Sequence, residues 1–259
     1  MKHKLYVSLL LSIIGGSSLF GQLKYNFSQF GNETVDFVKQ PARWNGGDCV
    51  KLGVVTATSV LFMETIDNRF RESLVNNRPY FKSAPIEFGR IWGETYSPVV
   101  LFSGFAVHSL LTDDIRTRKI AFEIGQASIY AGVIDFALKA AIGRARPYLN
   151  QGPTTFHPFS SIFNQDYKSI PSGHNTAAFV LSTVLSRNAG PGWLKVLAYA
   201  PAALTFVSRV YQDFHWVSDT FAGAALGYFT TTWVVDMHEK QESPVKVSGI
   251  FPLSVTIVF

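Results

Sequence analysis

Three short stretches concentrate the residues able to hold and attack an anion. The first runs Lys139-Ala-Ala-Ile-Gly-Arg-Ala-Arg146-Pro147. A seven-residue spacing is close to two helical turns, so Lys139 and Arg146 share a face if the helix continues, while Pro147 pushes Arg146 toward extended backbone. Two cations then converge on one anion. The plain alternative is a solvated basic helix end favoured by the helix dipole, and Arg144 is assigned to that role. The second stretch is Pro171-Ser172-Gly173-His174, ahead of an apolar run at 177–185. Ser172 can cap a helix whose first amides offer a site for a phosphate oxygen, with His174 beside it. Alone, such a tetrapeptide is more often only a helix start.

The third stretch is Ser208-Arg209-Val-Tyr-Gln-Asp-Phe-His215-Trp-Val-Ser-Asp219. His215 and Asp219 stand four residues apart, so on a helix the carboxylate accepts a hydrogen bond from one ring nitrogen and leaves the other with its lone pair free. That is the arrangement of an oriented nucleophile. An ordinary helical His/Asp pair is the simpler reading of this motif in isolation.

Taken in order, K-x6-RP, PSGH and SR-x5-H-x3-D resemble the signature of the type 2 phosphatidic acid phosphatase and vanadium haloperoxidase superfamily. The 11 specified positions, each with a base rate of about one in twenty, make chance assembly very improbable. The resemblance implies that Lys139, Arg146 and Arg209, with Ser172 and the Gly173 amide, hold a phosphate. It further implies that His215 attacks to give a phosphohistidine, that Asp219 orients and supports His215, and that His174 protonates the leaving alcohol and then activates water. Many members have glycine two residues ahead of the last histidine; here it is Asp213. That departure leaves the chemistry intact but adds a carboxylate that disfavours highly charged anions.

The implied reaction is metal-independent hydrolysis of phosphate monoesters, with no cofactor. Histidines 157, 174, 215 and 238 are not spaced with Cys or carboxylates as a zinc or two-metal site requires. Lipid phosphates or pyrophosphates are the favoured substrates, soluble phosphomonoesters the alternative, and the loop at 148–170 is the candidate selector. Two other functions remain open: a vanadate-dependent haloperoxidase, since vanadate mimics the phosphoryl transition state, and a silent anion-binding bundle.

Elements must bring these stretches together, and the helical signals dominate. Apolar runs and their breakers predict helices at 48–66, opened by Asp48, and at 99–111, 119–142, 175–185, 193–209 and 215–237, with polar residues following the first from 67 to 78. The fold class is all-α, a helical bundle of the acid phosphatase/vanadium haloperoxidase type, with a short β tail. Residues 1–21 read as a signal peptide, 22–47 as an extension, 48–240 as the phosphatase domain and 241–259 as the tail. Lys2, His3 and Lys4 before an apolar run ending at Ile14 give the signal its pattern and imply secretion to the periplasm. Removing Lys2 and Lys4 takes the formal charge from +5 to +3, a surplus suited to anionic substrates that does not imply nucleic acid. Cys49 is the only cysteine, so no intramolecular disulfide forms. Apolar runs short of the ~20 residues needed to span a bilayer favour buried core helices, with membrane association as the alternative.

Overall fold

Asparagine side chains start the first two helices. The computed structural model describes residues 24–75, 78–242, 245–247 and 255–257; the expected signal segment lies outside them. Asn26 caps α1 (Phe27–Val38) by accepting from the Gln29 amide. Asn45 opens α2 (Gly46–Thr65) with a reciprocal box, accepting from the Asp48 amide while Asp48 accepts from its own. Asp48 is therefore the third residue of the helix, not its cap.

The polar residues that follow from 67 form α3 (Asp67–Val75), and α4 (Ala84–Trp92) comes next. Next come α5 (Tyr96–Thr112) and α6 (Ile115–Ile142), the latter capped by Asp114. Ser172 caps α7 (Gly173–Asn188), as its position predicted. The single helix expected over 193–209 is two, α8 (Gly192–Leu197) and α9 (Ala200–Tyr211). Pro201, in the first turn of α9, has no amide hydrogen to continue a helix from α8. The last helix, α10 (Val217–Glu242), starts after His215 rather than at it. Two three-residue strands, β1 (Val245–Val247) and β2 (Val255–Ile257), pair antiparallel in the tail.

Helix α10 lies along α7 and also packs on α6 and α2, while α5 packs on α6 and α9 bridges α4 and α7. Two glycines of α10 let it approach α7 closely. A Cβ on Gly223 would stand 2.3 Å from the Ser172 carbonyl oxygen, and one on Gly227 2.4 Å from that of Thr176. The start of α7 is thus seated directly on the backbone of α10. Away from this end, α1 is tied to the bundle by His238, whose buried ring lies 3.2 Å from both Glu33 and Glu123.

The expectation of buried core helices fails for α2 and α5. Helix α2 turns Val50, Leu52, Val54, Val60 and Leu61 outward and buries Ser59; α5 turns Val99, Val100, Leu110 and Leu111 outward and buries Ser97 and Ser109. A bundle facing water places its apolar stripe inside, so this pattern is inverted. Helices α2 and α6 are both long and apolar enough to cross a membrane.

Candidate active site

The first motif ends α6 and enters the loop below it. Gly143 closes the helix at φ 61°, its amide bonded to the Lys139 carbonyl, and a Cβ there would overlap the His157 carbonyl oxygen. This tight exit sends Arg144 inward. Arg144 is fully buried, which corrects its assignment to a solvated helix end. Its guanidinium donates to Asp67 at 2.8 Å, to Asp219 at 2.5 Å, to the Ser218 hydroxyl at 2.6 Å and to the Pro153 carbonyl at 2.7 Å. Two buried carboxylates therefore share one cation, and each of its three nitrogens donates at least once.

His215 sits at the end of this chain of contacts. Its Nδ1 lies 2.8 Å from the Ser169 carbonyl and 3.7 Å from Asp219. The direct hydrogen-bond partner is thus a backbone oxygen rather than the expected carboxylate, because His215 precedes α10 and does not share a helix face with Asp219. A carbonyl only accepts, so Nδ1 carries the hydrogen and a neutral ring keeps its lone pair on Nε2. Asp219 in turn accepts from the Trp216 amide at 2.9 Å and the Ser169 hydroxyl at 2.5 Å. Its own carbonyl accepts from the Ser172 amide at 2.9 Å, which joins the second motif to the third.

The cations gather around one aromatic ring. The guanidiniums of Arg146 and Arg209 lie 6.0 and 5.3 Å from the centre of the Phe214 ring, and Arg146 also donates to the Gln165 carbonyl. Arg209 approaches His174 Nε2 at 3.5 Å, and the His174 and His215 rings meet edge to face with centres 6.3 Å apart. Lys139 Nζ comes within 3.5 Å of the place where a Cβ on Gly173 would stand. It is held there by the Asp135 carboxylate, at 2.6 Å from both oxygens, and by the Pro171 carbonyl. All eight residues singled out from sequence, Lys139, Arg146, Ser172, Gly173, His174, Arg209, His215 and Asp219, fall in one connected set of contacts.

Several members of this set had no local signal. Asp67 and Ser169 reach the site from outside the three motifs, and Glu94 comes within 3.5 Å of His174. Asp213 does not confront the anion as expected: Arg71 and Arg78 take its carboxylate at 2.8 and 3.2 Å. Its φ of 65° also accounts for the residue type, since Asp tolerates left-handed backbone better than most non-glycine residues.

Burial pushes the His215 imidazole down to about 3 from 6.5, leaving it neutral near pH 7. Burial, aided by the Arg209 charge, likewise lowers His174 to about 4. The unfolded His215 ring titrates near 6.5 and the folded one near 3, so the stability tied to its neutral form is complete above 6.5 and is lost as pH falls from 6.5 toward 3. The melting temperature should therefore drop through that window more steeply for the parent than for His215→Gln, as read by thermal scans at stepped pH.

Comparison with known proteins agrees with this geometry. The PAP2 superfamily family model matches residues 121–243. The lipid A 1-phosphatase of Rhizobium johnstonii is 30% identical over 72% of this chain and 78% of its own length. The undecaprenyl-diphosphatase of Sulfolobus acidocaldarius is 33% identical over 54% of this chain and 65% of its length. The match spans less than two thirds of several curated relatives, in one case 17%. A solved transmembrane PAP2 type phosphatidylglycerolphosphate phosphatase from Bacillus subtilis shares the fold, with a TM-score of 0.52, 14% identity, and coverage of 74% of this chain and 96% of its own. With the three motifs assembled at one end of a helical bundle and a relative matched over most of its length, the chain belongs to the PAP2 superfamily.

Proposed function

We propose that the chain is a phosphatase that hydrolyses lipid phosphates or diphosphates without a metal ion, through a phosphohistidine at His215. The observation that carries this reading is the buried, neutral His215 ring, whose Nδ1 is committed to the Ser169 carbonyl while Nε2 keeps its lone pair. In the proposed reaction Nε2 attacks phosphorus, the ester P–O bond breaks, and the departing oxygen takes a proton from His174. His174 then takes a proton from water, whose oxygen attacks phosphorus, breaks the P–N bond and releases phosphate. Arg146, Arg209, Lys139 and the first amides of α7 oppose the charge on the three equatorial oxygens. His174 is neutral in the empty site, so the negative charge of the arriving substrate supplies the pull that protonates it.

The substrate class is supported by the outward apolar faces of α2 and α5, which suit acyl chains rather than water, and by the names of the relatives. On this reading α2, α5 and α6 lie in the bilayer, and secretion across the inner membrane puts the site in the periplasm. The loop at 148–170 exposes Phe159, Ile162 and Phe163 as contacts for a lipid tail. The test is a panel of phosphatidate, undecaprenyl diphosphate, lipid A phosphate and p-nitrophenyl phosphate, offered to the detergent-purified full chain with EDTA present. Higher kcat/KM for a lipid, insensitivity to EDTA and inhibition by vanadate are expected. Halide oxidation with vanadate and peroxide would replace the phosphatase with an oxidoreductase, and no turnover of any phosphate would leave an anion-binding bundle.

A further inference from the structure

Helix α3 touches the chain on both sides of His215. At its first residue Asp67 accepts from the Ser218 amide at 3.0 Å and the Ser218 hydroxyl at 2.6 Å, just beyond the ring. One turn later Arg71 donates from Nε and Nη2 to the two carboxylate oxygens of Asp213, at 2.8 and 3.0 Å, just ahead of it. Residues four apart share a helix face, so the two grips act from one surface. Between them lie only Phe214, His215, Trp216 and Val217. Asp213 holds left-handed backbone, a conformation that persists for a non-glycine residue when surrounding contacts impose it, and the amides of Phe214 and His215 both fold back on the Arg209 carbonyl, at 3.2 and 3.3 Å. The gripped stretch is itself part of the site: Phe214 carries Arg146 and Arg209, and the Trp216 ring lies 5.8 Å from the Arg71 guanidinium and 5.5 Å from that of Arg144. Helix α3 lies outside the residues matched to the family, 121–243.

We propose that α3 is a positioning clamp: Asp67 and Arg71 fix the two ends of the segment that bears His215, and so hold its Nε2 in line with phosphorus. The inference rests on the reading of His215 as nucleophile and assigns kinetic weight to residues that touch no substrate. The test uses the full chain in detergent, a phosphate ester that the parent hydrolyses, and the variants Arg71→Ala, Asp213→Gly, Asp213→Asn and the Arg71→Ala/Asp213→Gly double. Glycine holds positive φ freely, so Asp213→Gly removes the grip without straining the turn. Each of Arg71→Ala and Asp213→Gly is expected to lower kcat about tenfold with KM within about twofold, because a misplaced nucleophile weakens the transition state rather than binding. Asp213→Asn, which keeps an acceptor and tolerates the same turn, should fall between parent and glycine variant. The double should lose clearly less than the two single losses multiplied, since both remove the Arg71–Asp213 contact, although Asp213→Gly also releases Arg78 and Arg71→Ala also releases Asn150.

Parental kcat with only a lower melting temperature would make the pair a matter of stability and end the proposal. So would fully additive losses in the double. His215→Ala belongs in the same series: retained activity there would sink the nucleophile reading itself, whereas an inactive His215→Ala beside fully active clamp variants sinks the clamp alone. If Arg71→Ala does not fold, the two Asp213 variants decide.

Discussion

His215→Ala is expected to reduce kcat for a lipid phosphate by on the order of 10⁴-fold or more, the scale seen when an activated nucleophile is deleted. The argument is local. The ring is buried and its Nδ1 is spent on a backbone carbonyl, which leaves Nε2 with its lone pair to attack. His174 cannot substitute, since its Nε2 faces Glu94 and Arg209 at 3.5 Å each. The cations around Phe214 are untouched by the change, so inorganic phosphate should bind the variant within a few-fold of the parent, whereas vanadate, which mimics the transition state with the nucleophile attached, should bind far more weakly. Steady-state turnover and an equilibrium binding measurement on one preparation check both halves. Turnover at parental level would remove the proposed chemistry.

Arg144→Ala is expected to cost about 3–5 kcal/mol of stability, the usual penalty for stripping a buried charge of its partner. For a chain of this size that is a fall on the order of 10 °C in melting temperature. Asp67 and Asp219 would be left facing one another in the interior with no cation between them, and the Trp216 ring would lose the guanidinium beside it. Activity should fall too, because Asp219 backs His215. Arg144→Lys should not restore either property: one ammonium cannot reach Asp67, Asp219, Ser218 and the Pro153 carbonyl at once, as the planar guanidinium does. Thermal unfolding followed by fluorescence, paired with turnover, measures both.

The two predictions differ in how far the sequence announced them. His215 was legible because its motif is short and its residue types are costly to place by accident. Arg144 was misread because local rules send an arginine at a helix end to solvent, and the partners that draw it inside are 75 and 77 positions away. Asp67 is 151 positions from Ser218, so no window along the chain joins them. The same limit explains α3, which looks like a run of polar residues until its charges find partners across the fold. Helix boundaries failed for smaller reasons: Pro201 divides 193–209, and Asn45 starts α2 ahead of Asp48. The environment of α2 and α5 was misjudged because run length was counted without asking which residues face inward. The signal was present in Ser59, Ser97 and Ser109, small polar residues that let helices pack while aliphatic side chains turn out.

One backbone contact reaches further than its size suggests. The Ser169 carbonyl occupies the ring nitrogen nearer the main chain, so under the proposed chemistry phosphorus attaches only at the far one, and any trapped adduct is the tele isomer rather than the pros. Peptide oxygen is common to every residue type, so this regiochemistry should persist whatever side chain stands at position 169. Chromatography of the isomers in an alkaline digest of trapped enzyme would read it directly.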